Sequence, residues 1–427
     1  MTRPTVVFTA AHGGYAGDRV ALGGGAAVCD QLISEWAITR PFPIRLLNPS
    51  ILGAGTPTGR ELISFGERAY GRFCREFEQA VTAEILRYEP SEVVVLSNDV
   101  AEGPAFRSLA AHGYRVFTIY HVDVVDYVAS IYGRSWFEPR TLVRWFDRVN
   151  SSPLGRCLPD IAKLIFEKQK DSVECSAGLI VPSERMRDVL TAAYAEATRH
   201  KVHVVPWGVR REPLDPVAVD GEMVRVRKEF GVPADALVLL TLSRISPEKG
   251  QDLLLEALSE WERLGTLPHR PLWLFVCGEP AFMQGRRFHE KLVRLSGLLE
   301  RVRIVFPGYV TGIVKQAFFQ LADLYVFPSI HESYGLTLLE AFQAGLPALC
   351  LDHHGAREVM RPEFGEIVPV GKRSLMVSGL RLALQRMLSN LDTLRQLGTA
   401  AKKFADTQNF AASARELAEL LAGVCVR

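Results

Sequence analysis

Twelve short apolar runs alternate with longer amphipathic stretches along this chain, and this alternation limits it to few folds. Runs such as EVVVLS (92–97) and ALVLLTLS (236–243) are rich in Val and Leu, as strands buried on both faces are. Helical patterns between consecutive runs indicate βαβ units, so the sequence predicts an α/β protein with doubly wound parallel sheets. The runs are residues 5–10, 43–47, 92–97, 114–120, 178–183, 202–206, 236–243, 272–278, 302–306, 324–329, 347–352 and 365–370.

The runs divide evenly into six before residue 207 and six after it, which predicts two Rossmann-like domains. The stretch WGVRREPLDP (207–216) is charged, contains proline and has no apolar period, as a linker does. A chain of 427 residues is long enough for two such domains. We expect an N-terminal domain over residues 1–207, a C-terminal domain over 208–405 and a final helical segment over 406–427.

The overall composition excludes several classes of protein. A net charge of +2 gives no general attraction to nucleic acid, so no nucleic-acid partner is expected. The seven cysteines are odd in number and include no CxxC pair, which favours a reducing compartment over a disulfide or zinc framework. No run approaches the length of a membrane span. We expect a cytoplasmic protein whose membrane contact is at most peripheral, on the inner face of a membrane.

The segment PSIHESYGLTLLEAFQAGLP (328–347) combines a strand end, a loop and a helix start. Gly335 lets the backbone approach a ligand, and the first helical turn with Thr337 suits phosphate oxygens. Glu332 and Glu340 repel an anion, but both suit hydrogen bonds from sugar hydroxyls. A single glutamate in such a place is more often a solvated surface residue. The whole constellation favours a site for a nucleotide-bearing sugar.

A second segment, LSRISPEKGQDLLLEAL (242–258), places Arg244 and Lys249 around a loop between a strand and a helix. Taken alone, such a pair is more often a surface arginine and a lysine at a helix start. Two cations at the carboxyl end of a strand can also offset the charge of a diphosphate, which increases as the diphosphate departs.

Together these segments resemble the retaining GT-B glycosyltransferases of the large family 4 group. The family pattern P-S-x-x-E-x-[FY]-G-L-x-x-x-E-A-x-x-x-G-x-P is matched from Pro328 to Pro347, and S-R-x-x-x-x-K-G from Ser243 to Gly250. The resemblance implies the GT-B architecture, with two Rossmann-like domains facing a central cleft and C-terminal helices that cross back to the first domain.

The resemblance also implies roles for individual residues. Arg244 and Lys249 would bind the donor diphosphate in place of a metal ion, Glu332 the donor sugar and Glu340 the ribose. No DxD-like metal motif is evident, so no metal ligand and no cofactor is predicted. Further substrate contacts are expected from the turn after residue 306 and from the loop and helix start after Glu332. These contacts are Tyr309, Val310, Ser333, Tyr334, Gly335, Leu336 and Thr337.

The N-terminal half contains weaker signals. Gly24 and Gly25 open a helix, and the resemblance implies that such a glycine loop lies near the donor phosphate and the acceptor. His121 follows an apolar run directly, and in the family a histidine here bonds the donor sugar; a lone histidine at a strand end is more often structural. Asp123 and Asn98 are further candidates. Asp123 would orient His121 or contact the acceptor, and Asn98 would line the cleft; Asp126 and Asp99 lie beside them.

Another segment of this half, from Tyr132 to Lys170, is basic and contains aromatic residues that include Trp136, Phe137, Trp145 and Phe146. It admits three interpretations: an acceptor lid, a weak membrane-surface patch, or a solvated helix with a packed aromatic face.

These observations predict a retaining, metal-independent glycosyltransferase that moves a sugar from a UDP-, GDP- or ADP-sugar to an acceptor hydroxyl. The acceptor is a carbohydrate, a lipid or a small molecule. Two alternatives are a non-catalytic GT-B protein that binds glycans or a partner, and a nucleotide-sugar epimerase or phosphorylase of the same fold. Intact Arg244, Lys249, Glu332 and Glu340 favour the transferase.

Overall fold

A computed structural model describes residues 4–13, 23–123, 125, 139–210 and 214–423 of the chain. The chain forms two compact units: the first ends at Trp207 and resumes at Phe410, and the second is Gly208–Asn409. Each of the twelve apolar runs contains a strand, and each unit has one parallel six-stranded sheet with helices. The prediction of an α/β fold with two doubly wound sheets is therefore confirmed.

The sheet of the first unit has the strand order β2-β1-β3-β4-β5-β6. Its central strands are fully buried, because helices cover both faces of such a sheet. The strands are β1 (Thr5–Thr9), β2 (Ile44–Leu47), β3 (Val93–Ser97), β4 (Val116–Ile119), β5 (Gly178–Val181) and β6 (Val202–Val204).

The helices of the first unit place apolar side chains on the sheet. The longest, α3, buries Phe73, Phe77 and Val81, which lie four residues apart and so share one face. The helices are α1 (Gly24–Thr39), α2 (Gly59–Ser64), α3 (Glu67–Ile85), α4 (Phe106–Ala111), α5 (Pro139–Asn150), α6 (Asp160–Cys175), α7 (Glu184–Ala193) and α8 (Ala195–Thr198).

The sheet of the second unit has the order β12-β11-β10-β7-β8-β9, which is the strand order of dinucleotide-binding Rossmann domains. The strands are β7 (Leu237–Leu242), β8 (Leu272–Cys277), β9 (Val302–Gly308), β10 (Leu324–Phe327), β11 (Ala348–Asp352) and β12 (Gly365–Pro369). The helices of this unit are α9 (Pro216–Phe230), α10 (Gln251–Arg263), α11 (Phe282–Ser296), α12 (Gly312–Leu321), α13 (Leu336–Gln343), α14 (His354–Val359), α15 (Arg373–Leu388) and α16 (Leu391–Ala405).

The last helix, α17 (Phe410–Gly423), belongs to the first unit. The indole N–H of Trp36 on α1 donates to the carbonyl of Ala414 at 2.9 Å. Trp207, expected at the start of a linker, is instead buried, and its ring stacks on that of Phe410. The large apolar surface of the Trp207 side chain explains why it is buried and does not lie in a linker. Burial of this surface stabilises the fold, although the residues that follow Trp207 are charged.

Helices that could cross a membrane are not found among the described residues, since none combines sufficient length with sufficient apolar character.

Candidate functional site

The second sheet has a topological switch point between the adjacent strands β7 and β10. Ligands of doubly wound sheets bind outside the carboxyl ends of the strands at this point. Arg244 and Lys249 follow β7, and Glu332 follows β10. The fold therefore brings two segments that are distant in sequence to the place where a ligand is expected.

Lys249 and Glu332 form an ion pair at this switch point, in which the ammonium group donates to Oε1 of the glutamate. The lysine side chain is 7% exposed and the glutamate side chain 21% exposed, so the pair is accessible mainly through the carboxylate. An ammonium group has three N–H donors, and Glu332 accepts one of them. Lys249 thus retains donors for a ligand, and Glu332 fixes where they lie.

Gly250 explains how Lys249 reaches this position. It ends the short turn Pro247–Lys249 with a φ of 63°, in the left-handed region that favours glycine. A Cβ at Gly250 would lie 2.1 Å from the carbonyl oxygen of Pro328. Only glycine allows the turn after β7 to approach the end of β10 this closely.

Arg244 lies beside a carboxylate that the sequence analysis did not select, that of Glu248. The Nη2 atom of Arg244 is 3.7 Å from Oε1 of Glu248, which also accepts from the Ser246 hydroxyl at 2.6 Å. Glu248 is buried. It therefore limits where the guanidinium can lie and partly offsets its charge.

Glu340 on α13 pairs with Lys315 on α12, with 2.8 Å between Nζ and Oε1. Both side chains are partly exposed. Thr337, one turn before Glu340, accepts a hydrogen bond from the Tyr325 hydroxyl at 2.8 Å. Burial raises the pKa of Tyr325, so its hydroxyl keeps its single proton, for which the Leu242 carbonyl at 3.1 Å is a second acceptor.

Helix α14 contacts the loop between Glu332 and α13 and fixes its position. The N–H of Gly355 donates to the Glu332 carbonyl at 3.0 Å, and a Cβ at Gly355 would lie 2.7 Å from that oxygen. Gly335 has a φ of 75° and directly precedes Leu336, where α13 begins, as the sequence predicted. Tyr334 is buried and Ser333 is partly exposed, and the predicted ligand contacts of both stay predictions.

Tyr309 and Val310 follow β9, which lies two strands from β7 in the sheet. The Tyr309 side chain is exposed and that of Val310 is buried. Their predicted contact with the substrate stays a prediction.

The first sheet has its own switch point, between β1 and β3. Asn98 follows β3 and His121 follows β4; Nε2 of His121 lies 2.9 Å from Oδ1 of Asn98. The Asn98 amide donates to the Gly25 carbonyl at 3.4 Å. A Cβ at Gly25 would lie 2.9 Å from the His121 ring, so glycine lets the start of α1 approach the histidine. Gly24, the first residue of α1, is exposed.

His12, after β1, lies between two carboxylates at the same switch point. Nδ1 is 3.3 Å from Asp99 and Nε2 is 3.6 Å from Glu102. Burial opposes ionisation of Asp99, but the hydrogen bond and charge of His12 hold its pKa below the usual value; burial raises the pKa of Glu102. The side-chain atoms of His12, Asp99 and Glu102 that could bind a metal ion lie within 4.8 Å of one another. The prediction that the reaction needs no metal ion therefore stays a prediction.

Asp123 is buried and accepts a hydrogen bond from the Gln169 side chain at 3.1 Å. Gln169 also accepts from the backbone N–H of Val125, which fixes the chain just after Asp123. Asp126 lies outside the described residues, as does the first part of the segment from Tyr132 to Lys170.

His121 is expected to remain neutral in the folded protein across the physiological range. Burial lowers the pKa of His121 to about 4, although the nearby Asp99 acts in the opposite direction. The unfolded chain binds this proton at about pH 6.5. His121 therefore contributes stability above about pH 6.5, and this contribution is lost as the pH falls towards 4. An NMR titration of the His121 ring should give a midpoint near 4, whereas a midpoint near 6.5 would contradict this description.

His12, Glu102, Glu248 and Lys315 were missed by the sequence analysis. Glu248 lies inside the basic motif and Glu102 lies a few residues beyond Asn98, so position relative to a known segment is the signal that could have found them. His12 and Lys315 have no local pattern, and only the folded sheet brings them to their carboxylates.

Residues 224–404 match the family model described as glycosyl transferases group 1. For this segment the match confirms a resemblance to glycosyl transferases, while the family 4 and retaining parts of the prediction stay predictions. A curated relative, D-inositol 3-phosphate glycosyltransferase of Geodermatophilus obscurus, is 32% identical over 171 residues, which are 40% of this chain and 37% of that protein. The chain spans about half the length, or less, of the curated relatives it matches.

Two solved structures are similar over nearly the whole chain. Sucrose-phosphate synthase from Thermosynechococcus elongatus has a TM-score of 0.71 and 20% identity, covering 99% of this chain and 100% of that one. HepE of Anabaena, in complex with UDP-glucose, has a TM-score of 0.63 and 16% identity, covering 98% and 99%. At this identity the similarity shows the fold alone, and it confirms the predicted GT-B fold class.

Proposed function

We propose that the chain is a glycosyltransferase that moves a sugar from a nucleotide-diphosphate sugar to an acceptor hydroxyl. The observation that carries this proposal is the convergence of Arg244, Lys249 and Glu332 at the switch point of the second sheet. The family match over residues 224–404 supports the same reaction class. No feature of the described residues favours an epimerase, a phosphorylase or a non-catalytic binding protein.

In the proposed reaction, the bond between the anomeric carbon and the diphosphate oxygen breaks. The acceptor oxygen bonds to that carbon on the same face, with retention of configuration, and the acceptor proton passes to the departing diphosphate. Negative charge grows on the diphosphate as it leaves. Arg244 and Lys249 offset that charge with preorganised donors, so we propose that the transfer needs no metal ion.

Glu332 has two roles in the proposed reaction. Its Oε1 holds Lys249, and the second carboxylate oxygen can accept a hydrogen bond from a hydroxyl of the donor sugar. Because Lys249 contacts the diphosphate and Glu332 contacts the sugar, the ion pair links the two halves of the donor across the bond that breaks.

Glu340 is proposed to accept hydrogen bonds from the ribose hydroxyls. Its pairing with Lys315 orients the carboxylate, while its partial exposure leaves it accessible to a ligand. Thr337 and the first turn of α13 would then meet a phosphate oxygen.

Glu340→Gln is expected to raise the donor KM about tenfold or more with a smaller change in kcat, since a hydrogen bond to a charged acceptor contributes roughly 1.5–3 kcal/mol to binding. Steady-state kinetics with varied donor concentration checks this. The matched control is Glu366→Gln, which alters another partly exposed glutamate paired with a cation, Arg386. Equal donor KM values for the two variants would remove Glu340 from the donor site.

We propose that the acceptor binds to the first unit. Asn98, His121 and Asp123 lie at or after the carboxyl ends of its strands, and Gly24 and Gly25 open α1 beside them. The neutral imidazole of His121 can form a hydrogen bond with a sugar hydroxyl, and it has no charge that would repel a cation or attract an anion. A carbohydrate, a lipid-linked sugar or a small polyol fits this polar set.

Calorimetric titration of the full chain with UDP-, GDP- and ADP-sugars tests the proposal. Saturable binding of at least one donor is expected, with competition by the matching nucleoside diphosphate and loss of binding in Arg244→Gln. A folded chain that binds none of these donors or nucleoside diphosphates would overturn the proposed function.

A further inference from the structure

Helix α5 and the turn after it carry an unusual combination of exposed side chains. Three arginines and Trp145 lie on the helix, and Leu154 and Arg156 lie on the turn Pro153–Cys157. Trp145 is 53% exposed and Leu154 is 67% exposed. We call this set the α5 surface; it comprises Arg140, Arg144, Trp145, Arg148, Leu154 and Arg156.

The opposite face of α5 fixes the orientation of the helix. Val143 and Phe146 are buried, and the Phe146 ring stacks on Phe166 of α6 with 4.5 Å between centroids. Residues at positions i, i+4 and i+8 share one face of a helix. Arg140, Arg144 and Arg148 therefore form one stripe, and all three are exposed.

The turn is held directly against the end of the helix. Gly155 is buried, and a Cβ there would lie 2.7 Å from the Asn150 carbonyl oxygen. Leu154 and Arg156 flank this contact, and both are exposed. The exposed apolar and cationic groups of the turn therefore lie next to the C-terminal end of the helix.

The charges of the α5 surface are not neutralised within the described part of the chain, where none of its four arginines has an ion-pair partner. Asp147, the acidic residue of α5, is paired instead with Lys170 of α6 at 2.9 Å. Some surface arginines elsewhere are paired, such as Arg107, which contacts both Asp171 and Glu174. The α5 surface is therefore cationic by local arrangement, although the whole chain has a net charge of only +2.

We propose that the α5 surface docks on a lipid bilayer that contains anionic lipids. Arginine guanidinium groups attract anionic headgroups, and an exposed Trp with a nearby Leu can insert among headgroups and upper acyl chains. An acidic protein partner would match the arginines but not the isolated apolar side chains. A bilayer matches both, because its anionic headgroups attract the arginines and the apolar side chains can insert among the headgroups. This inference goes beyond the proposed glycosyl transfer and does not depend on it.

Vesicle co-sedimentation of the full chain tests the proposal. Vesicles of phosphatidylcholine with phosphatidylglycerol should bind the protein at low ionic strength, vesicles of phosphatidylcholine alone should not, and high salt should release it. The double variant Arg144→Ser/Arg148→Ser should bind about thirtyfold more weakly, because each cation near the surface contributes roughly 1 kcal/mol. Trp145→Ser should also weaken binding, which a purely electrostatic contact would not show.

The matched control is Arg225→Ser/Arg395→Ser, which removes two arginines from exposed helix faces where both are ion-paired. This control should bind vesicles as the unaltered chain does. No sedimentation with anionic vesicles would overturn the proposal, and so would an equal loss of binding in the two double variants. Binding to heparin as tight as to vesicles, insensitive to Trp145→Ser, would identify a general polyanion contact and overturn it as well.

Discussion

Lys249→Met is expected to reduce turnover about a hundredfold to a thousandfold while the second unit remains folded, because removing one preorganised donor from the departing charge has effects of this size. Methionine preserves the length and apolar stem of the lysine side chain. The Glu332 carboxylate loses its partner but is partly exposed, so water can hydrate it. Steady-state kinetics and thermal unfolding of the same preparation measure the two effects separately.

Lys291→Met provides the control for that variant. Lys291 pairs with Asp252 in the same unit, and Asp252 keeps a second partner, Arg373, when the lysine is removed. Turnover of this control should stay close to that of the unaltered chain. If both lysine variants lose turnover equally, or if Lys249→Met retains it, Lys249 does not act on the departing diphosphate.

Gly250→Ala is expected to destabilise the second unit by at least about 2 kcal/mol and to abolish donor binding, since alanine is strained at this backbone conformation and its Cβ overlaps a carbonyl. The carbonyl is that of Pro328, 2.1 Å from the position of the added carbon, at a φ of 63°. Relief of the overlap must separate the turn after β7 from the end of β10. Lys249 would then leave Glu332.

The control for the glycine variant is Gly221→Ala in helix α9, where an added Cβ meets no atom within 4 Å. Helix propensity predicts a gain of about 0.5–1 kcal/mol for this control. Thermal unfolding and calorimetric donor titration check both variants. Unchanged stability and donor affinity in Gly250→Ala would show that the close approach does not hold the site together.

Much of the fold could be predicted from local sequence. Strands such as β3 and β7 are continuous apolar runs, and the helix that follows Gly335 begins at Leu336, as the loop and glycine indicate. These features are determined by residues that are close together in the sequence, so a local sequence pattern is enough to predict them. Trp207 was misplaced in a linker because the ring it packs on, Phe410, is distant in sequence.

The candidate site was predictable only in part. The spacing of Glu332 and Glu340 selects both residues, but it does not reveal that Glu332 meets Lys249, 83 positions away. That contact requires β7 and β10 to be neighbours, which the chain order does not show. His12 is similar: its carboxylate partner Asp99 is 87 positions away, and a lone histidine after a strand has no recognisable pattern.

Release of nucleoside diphosphate from a panel of UDP-, GDP- and ADP-sugars, with and without candidate acceptors, measures the proposed sugar transfer itself. We predict slow release from at least one donor by water alone, faster release with a suitable acceptor, and loss of both in Lys249→Met. A folded chain that releases no nucleoside diphosphate from any donor, or releases it equally well without Lys249, would contradict the account.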